Sequence, residues 1–186
     1  MNKLPDERLV RKIKPINLLI LDVDGVLTDG RIIIDDLGNE TKNFDVRDGH
    51  GIRLLTGSGI DVILLTGRSS RVVDHRAKDL GIKEVYQSAY NKIEVFEEIL
   101  RKRNISSDNV AYAGDDIVDI PVFNRAGFSV AVADAAVYAK KAANYVTVKR
   151  GGRGAVREIC EMILFVQGKW PEIASKYGLK VSGSSG

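Results

Sequence analysis

The sequence predicts a doubly wound α/β domain built on a parallel sheet, and three observations carry that expectation. Ile16–Thr28 reads I-N-L-L-I-L-D-V-D-G-V-L-T, an apolar run ending abruptly in two aspartates and a glycine. A strand buried on both faces of a parallel sheet looks like this. Further short apolar runs alternate with helix-like stretches along the chain, the pattern of successive β-α-β units. Polar residues gather just after those runs, where ligands of open parallel sheets bind.

Each element follows in order. Residues 1–15 form a polar N-terminal extension, with a short helix after Pro5 and at most a peripheral packing role. After the first strand, residues 31–44 place Arg31–Ile34 and Glu40–Phe44 on either side of D-D-L-G-N, a β-hairpin flap rising from the strand's own loop. Asp45–Gly51 (D-V-R-D-G-H-G) reads as a glycine-punctuated loop leading to a helix from about Ile52 to Thr56. Asp61–Leu65 is a second buried strand, ending at Thr66-Gly67-Arg68. Ser69 or Ser70 caps the helix that runs to Leu80, and Gly81 stops it. Glu84–Tyr86 is a third strand. Asn91–Arg103 is an amphipathic helix with Ile93, Phe96, Ile99 and Leu100 on one stripe. Val110–Gly114 is a fourth strand, followed by a helix to about Arg125 that tolerates Pro121 only in its first turn. Ser129–Val132 is a fifth strand, Asp134 caps the next helix, and Tyr145–Val148 is the last strand. Gly151-Gly152-Arg153-Gly154 opens a final helix, Ala155–Gln167, which carries Cys160 on its apolar face. The core thus spans residues 16–168. The tail, 169–186, loses periodicity and ends in a Gly/Ser run expected to be disordered. Between the first strand and the next helix there is room for the hairpin but not for an inserted cap domain.

Composition narrows the function classes. With 186 residues, 44% hydrophobic and 28% charged, the chain is sized for one soluble domain with a proper core. Its single cysteine excludes an internal disulfide framework. No apolar stretch approaches the roughly 18 residues of a membrane span, so a cytoplasmic location is expected. A net charge of +3, without interleaved aromatic and basic residues, argues against a nucleic-acid partner.

The polar residues at the strand ends form one constellation. Asp22 and Asp24 are i and i+2 on an extended chain and can converge on one cation or substrate group. Thr66, Lys92, Asp115 and Asp116 fall at the same rim of the sheet. Carboxylates with one lysine and one hydroxyl suit magnesium and phosphate. A small hard cation takes oxygen ligands and shares itself with phosphate, while the ammonium offsets carboxylate repulsion.

D-V-D-G-V-L-T, L-L-T-G-R, Asn91-Lys92 and Y-A-G-D-D-I-V-D together resemble the four motifs of the haloacid dehalogenase superfamily. Within it, F-D-V-R-D-G-H-G-I-R, Y-Q-S-A-Y-N-K, G-D-D-I-V-D-I-P-V and G-G-R-G-A-V-R-E resemble the family of 3-deoxy-D-manno-octulosonate 8-phosphate (KDO 8-phosphate) phosphatases. The resemblance covers about Ile16 to Gln167 and implies a Rossmann-like core and a Mg2+-dependent phosphatase in lipopolysaccharide precursor synthesis. It makes Asp22 the nucleophile and Asp24 the acid and base, with Mg2+ on Asp22, Asp115 and the main-chain carbonyl of Asp24. Thr66, Gly67 and Lys92 would bind phosphate, and Asp116 or Asp119 would orient the metal shell or Lys92. The small sugar-acid phosphate would further meet Asp45, Val46, Arg47, Asp48, Gly49, Arg53, Arg68, Arg76 and Arg153. The chain departs from the family's pattern at Asp45, where Asn is frequent, and at His50, where Tyr is common. The resemblance also implies a homotetramer in which hairpins associate and a neighbour's C-terminal segment covers the site, with Gly151–Gly154 part of its approach.

Three alternatives stand beside this reading. A sister phosphatase acting on a nine-carbon keto-deoxy sugar acid 9-phosphate shares the four motifs, although Arg68 and Arg153 favour the eight-carbon substrate. A phospho-accepting receiver module uses a similar acidic set without the D-x-D start. A catalytically silent phosphatase-like domain would not need the intact acids.

Overall fold

The computed structural model describes residues 5–179. At its centre is β1, Leu18–Leu21, whose four residues are all buried, as the uninterrupted apolar run requires. It pairs in parallel with β4 (Asp61–Leu65) on one side and β6 (Val110–Gly114) on the other, with Leu21 opposite Leu64 and Ala113. Beyond β4 lies β5 (Glu84–Tyr86); beyond β6 lie β7 (Phe128–Ala131) and β8 (Tyr145–Val146). All six strands run parallel. The chain moves outward from β1 in one direction, then returns to its other side and moves outward in the other. The switch point therefore lies between β1 and β6, and Asp22 and Asp115 are the residues that leave it. This is the doubly wound sheet expected.

Two groups of helices cover the sheet. α1 (Glu7–Ile13), α2 (Val46–Gly57), α7 (Ala155–Val166) and α8 (Trp170–Lys176) are joined through contacts with α7, and α3 (Arg71–Leu80) touches α2. α4 (Lys92–Arg103), α5 (Ile120–Phe123) and α6 (Val137–Ala142) pack in sequence on one another. The hairpin, β2 (Ile33–Ile34) with β3 (Glu40–Thr41), is antiparallel and separate from the main sheet. At its tip the Asp35 carboxylate accepts hydrogen bonds from the N–H groups of Leu37 and Asn39. Among the described residues nothing larger than this hairpin lies between β1 and α2.

Several expectations need correcting. The stretch Asp45–Gly51 is not a loop: Asp45 is the N-cap of α2, accepting from the Arg47 N–H, and the glycines lie within the helix. They are there because α2 packs close to its neighbours. A Cβ at Gly51 would stand 3.1 Å from the Arg157 backbone of α7. The N-terminal extension is docked rather than peripheral, with Ile13 fully buried and Lys12 donating to the Gly127 carbonyl. The segment after β6 is a 3-10 turn, Ile117–Asp119, before the short α5, and Pro121 does fall in that helix's first turn. Asp134 does not cap α6, whose N-cap is Ala136; it accepts from the Gly151 N–H instead. The tail contains α8, which stacks Trp170 on Phe165 and buries Ile173 and Ala174. Its expected disordered end, residues 180–186, lies outside the described residues. Gly81 closes α3 in the left-handed conformation, as expected.

Candidate active site

The site grows from the end of β1. Asp22 is buried, with one carboxylate oxygen accepting from the Val23 N–H at 2.7 Å and the other 2.7 Å from Lys92 Nζ. Lys92 is the first residue of α4, the helix that follows β5, and is buried. Its ammonium also donates to Asp119 Oδ1 at 2.7 Å. Asp119 is completely buried and fully engaged. Oδ1 additionally takes the Tyr112 hydroxyl at 2.6 Å, and Oδ2 takes the N–H groups of Asp115 and Asp116 at 2.9 and 3.0 Å. Burying a charge is tolerable only with this density of partners. Asp119 is thus the residue that orients Lys92 and shapes the Asp115 backbone. Asp116 faces solvent and accepts from the Ile117 N–H, so its part is to cap the 3-10 turn.

Electrostatics at this rim follow from burial. Burial pushes the Asp22 carboxyl up, Lys92 pulls it back, and Asp119 adds repulsion; the net direction is up. Asp115 is pushed up to about 7 by burial and by the charges of Asp22 and Asp119. Burial works against the Lys92 ammonium, but its two carboxylate partners outweigh it and raise it overall. Tyr112 is driven well above the ordinary phenol range, first by burial and then by Asp119, so it stays a hydrogen-bond donor.

This donor set fits a hard cation. Asp22, Asp115 and Asp119 each offer an oxygen, and the three lie within 4.8 Å of one another. With Asp119 saturated, Asp22 and Asp115 are the carboxylates left for a metal, and their mutual repulsion is what a divalent ion would relieve. Gly25 makes the approach possible: it has a φ of 86°, and a Cβ there would sit 2.0 Å from Asp115 Oδ2.

Asp24 lies beside this centre in a second ion cluster. Lys42, on the hairpin just after β3, is buried and hydrogen-bonds Asp24 Oδ1. The same ammonium lies 3.4 Å from Glu40, which also holds Arg68 at 3.0 Å, and Arg68 Nε stands 3.7 Å from the other Asp24 oxygen. Lys42 and Glu40 are neighbours of Asp24 and Arg68 that motif reading missed. The signal was present: they are i and i+2 on a strand and share a face. Tyr112 was also missed, since within V-A-Y-A-G it reads simply as core.

The remaining sequence candidates divide. Thr66 is buried at the end of β4, its N–H bonded to the Tyr86 carbonyl, and Gly67 follows it directly. Arg153 is exposed and lies 3.7 Å from Asp29, just beyond the D-x-D loop. Gly151 and Gly152 press on that loop within the same chain. The Gly152 N–H bonds the Val26 carbonyl, and a Cβ at Gly151 would stand 1.7 Å from the Gly25 carbonyl oxygen. Within the chain, Gly151 and Gly152 therefore lie directly against the loop that follows β1. Other candidates are engaged elsewhere. Asp48 is buried and accepts from the N–H groups of Gly154 and Arg157, capping α7. Asp45 pairs with Arg47 at 2.8 Å, and Val46 is exposed. Arg53 donates to the Asp79 carbonyl, and Arg76 lies over the Phe44 ring and in the space beside Gly49. His50, the other departure from the family's pattern, packs edge-on against Tyr177 near the C-terminus of the described chain.

Comparison with known proteins agrees with this geometry. A haloacid dehalogenase-like hydrolase family model matches residues 81–159. The 3-deoxy-D-manno-octulosonate 8-phosphate phosphatase of Escherichia coli K12 is 49% identical over 164 residues, covering 88% of this chain and 87% of its own. The crystal structure of the Yersinia pestis phosphatase of the same description superposes with a TM-score of 0.87 at 45% identity, covering 89% of each chain. The Moraxella catarrhalis phosphatase, solved with magnesium, phosphate and KDO, superposes with a TM-score of 0.91 at 39% identity, covering 93% of this chain and 99% of its own. The chain belongs to the haloacid dehalogenase superfamily of hydrolases, and within it to the family of the 3-deoxy-D-manno-octulosonate 8-phosphate phosphatases.

Proposed function

We propose that this protein is a Mg2+-dependent phosphatase that hydrolyses KDO 8-phosphate to KDO and phosphate, with Asp22 as nucleophile. The observation that carries the reading is the buried Asp22 carboxylate at the sheet's switch point, 2.7 Å from the Lys92 ammonium and grouped with Asp115. Both neighbours are needed for an anion to attack a phosphate.

An Asp22 oxygen attacks phosphorus, the bond from phosphorus to the sugar oxygen breaks, and Asp24 gives its proton to that oxygen. An aspartyl phosphate results. Water then attacks phosphorus while Asp24 takes its proton, and the bond from phosphorus to Asp22 breaks, releasing phosphate. A sugar alkoxide is a poor leaving group, so a placed acid contributes on the order of 10² to 10⁴ in rate. Mg2+, held by Asp22, Asp115 and the main-chain carbonyl of Asp24, supplies positive charge that offsets repulsion between nucleophile and phosphate. Lys92 and Thr66, with the Gly67 backbone, hold the phosphoryl oxygens. Arg68 and Arg153 flank the D-x-D loop and suit the sugar acid's carboxylate by their planar geometry.

The oligomer is proposed as a tetramer formed through the hairpins. The exposed side chains of Ile32, Ile34 and Leu37 support this, since an apolar surface on a flap asks for a covering partner. Among the described residues no helix is long and apolar enough to cross a membrane, and a cytoplasmic location is proposed.

The test is phosphate release from KDO 8-phosphate and from a nine-carbon keto-deoxy sugar acid 9-phosphate, each with and without Mg2+. Mg2+-dependent turnover favouring the eight-carbon ester is expected, and a clear preference for the nine-carbon ester would overturn the substrate. An Asp22→Asn variant that releases phosphate as fast as the parent would overturn the nucleophile.

A further inference from the structure

We propose that Lys42, carried on the hairpin, is a positioning residue for both proton transfers of Asp24, an inference that rests on the acid–base reading above. The side chain of Lys42 is 1% exposed, although the hairpin that carries it leaves Ile32, Ile34 and Leu37 open to solvent. A long, strongly hydrated cation is buried in that way only when its partners require it. Those partners are Asp24 Oδ1 and Glu40, the latter 3.4 Å away.

Asp24 has a cation near each oxygen, one hydrogen-bonded and one at longer range. Lys42 holds Oδ1, and Arg68 stands 3.7 Å from Oδ2. Glu40 ties the two cations together, 3.4 Å from Lys42 and 3.0 Å from Arg68. Its own backbone is fixed by the β2–β3 pairing, where Glu40 lies opposite Ile34. The hairpin therefore does more than shield the site: it delivers a cation that selects one orientation of the Asp24 carboxyl.

Orientation matters because Asp24 serves two oxygens at the same phosphorus. In the first step its O–H bond breaks and the proton passes to the leaving sugar oxygen. In the second step a water O–H bond breaks and Asp24 receives that proton, while the water oxygen bonds phosphorus and Asp22 departs. Lys42 itself gains and loses no proton in either step. A carboxyl free to rotate would spend much of its time out of line, and misplacement of a reacting group by about 1 Å costs on the order of 10² in rate.

An aryl ester separates the steps, because a nitrophenolate leaves without an acid. With p-nitrophenyl phosphate and the full-length Mg2+-loaded protein, Lys42→Met should give a nitrophenol burst near one equivalent per site. Steady-state kcat should be about 10- to 100-fold below the parent, with KM falling in parallel so that kcat/KM stays near the parent's. Lys42→Arg, which keeps the cation, should recover most of the turnover. Parent-like turnover in Lys42→Met would overturn the proposal, as would loss of the burst together with turnover, or a raised KM at unchanged kcat. If Lys42→Met does not fold, Glu40→Gln decides: a burst with slowed turnover supports the proposal, and unchanged turnover ends it. Asp24→Asn, run in parallel, separates the two readings. Full turnover there removes the acid–base role itself, whereas a slow Asp24→Asn beside a parent-like Lys42→Met removes only the role of Lys42.

Discussion

Lys92 and Asp119 meet at 2.7 Å inside the protein, with Asp119 wholly buried and Lys92 nearly so. The pair fixes the ammonium that lies 2.7 Å from the Asp22 carboxylate. Because Asp119 also accepts from Tyr112 and from the Asp115 and Asp116 N–H groups, it couples the lysine to the metal-side loop. An Asp119→Asn substitution should therefore damage stability and activity together. Breaking a buried charge pair costs about 3–5 kcal/mol, so chemical denaturation should show a loss of that order. kcat/KM should fall well beyond what the folded fraction explains, and an intact unfolding free energy would contradict this account.

Gly25 and Asp115 supply the second expectation. A Cβ at Gly25 would stand 2.0 Å from Asp115 Oδ2, and the φ of 86° is itself strained for any other L-residue by roughly 1–2 kcal/mol. Gly25→Ala must therefore displace the Asp115 carboxylate from Asp22. The expected result is at least about tenfold weaker Mg2+ binding by calorimetric titration, with a lowered melting temperature. Parent-like Mg2+ affinity would show that Asp115 does not need this approach.

The doubly wound sheet and its acidic rim were legible because their signals are local. A buried parallel strand is a short apolar run, and D-V-D-G or A-G-D-D announces where the run ends. Two of the corrections share a cause: local chemistry suggested one role and distant packing assigned another. Asp45–Gly51 looks like a loop because it holds two glycines, yet α2 needs them to approach α3 and α7. Asp134 has the chemistry of a cap, but the Gly151 N–H claims it from 17 residues away. Lys42 escaped notice for a related reason. A lysine in a hairpin reads as solvated until the fold lays Asp24 across it.

The third expectation concerns Asp48, which caps α7 from within α2. Burial pushes its carboxyl up from 3.8 to about 6, only partly offset by the Arg157 and Gly154 N–H groups. Between those values the folded protein holds a proton that the unfolded chain has released, so stability falls as pH rises through the window and levels off above about 6. The full shift corresponds to at most about 3 kcal/mol. Asp48→Asn cannot titrate, so the stability of the parent minus that of the variant should decline by about 1–3 kcal/mol between pH 4.5 and 6.5. Urea unfolding across pH gives the comparison. A flat or rising difference would mean that the cap is ionised throughout.

The last expectation joins the metal to pH. Asp115 is held up at about 7 by burial and by the charges of Asp22 and Asp119. A cation must displace the proton that Asp115 carries below that value, since metal ligands bind deprotonated. The sign follows: Mg2+ binding should strengthen as pH rises toward 7 and become nearly level above it. Each displaced proton changes the apparent affinity up to tenfold per pH unit, so binding at pH 6 should be roughly tenfold weaker than at pH 8. Stability reports the same linkage. At a Mg2+ concentration 100 times its dissociation constant the folded state gains about 2.7 kcal/mol, and the melting temperature should rise accordingly at pH 8. The same Mg2+ concentration should produce a clearly smaller rise at pH 6. In Asp115→Asn both the affinity and its pH dependence should largely disappear. Equal Mg2+ affinity at the two pH values in the parent would exclude Asp115 as the ligand whose proton competes, and would leave Asp22 to hold the ion with other oxygens.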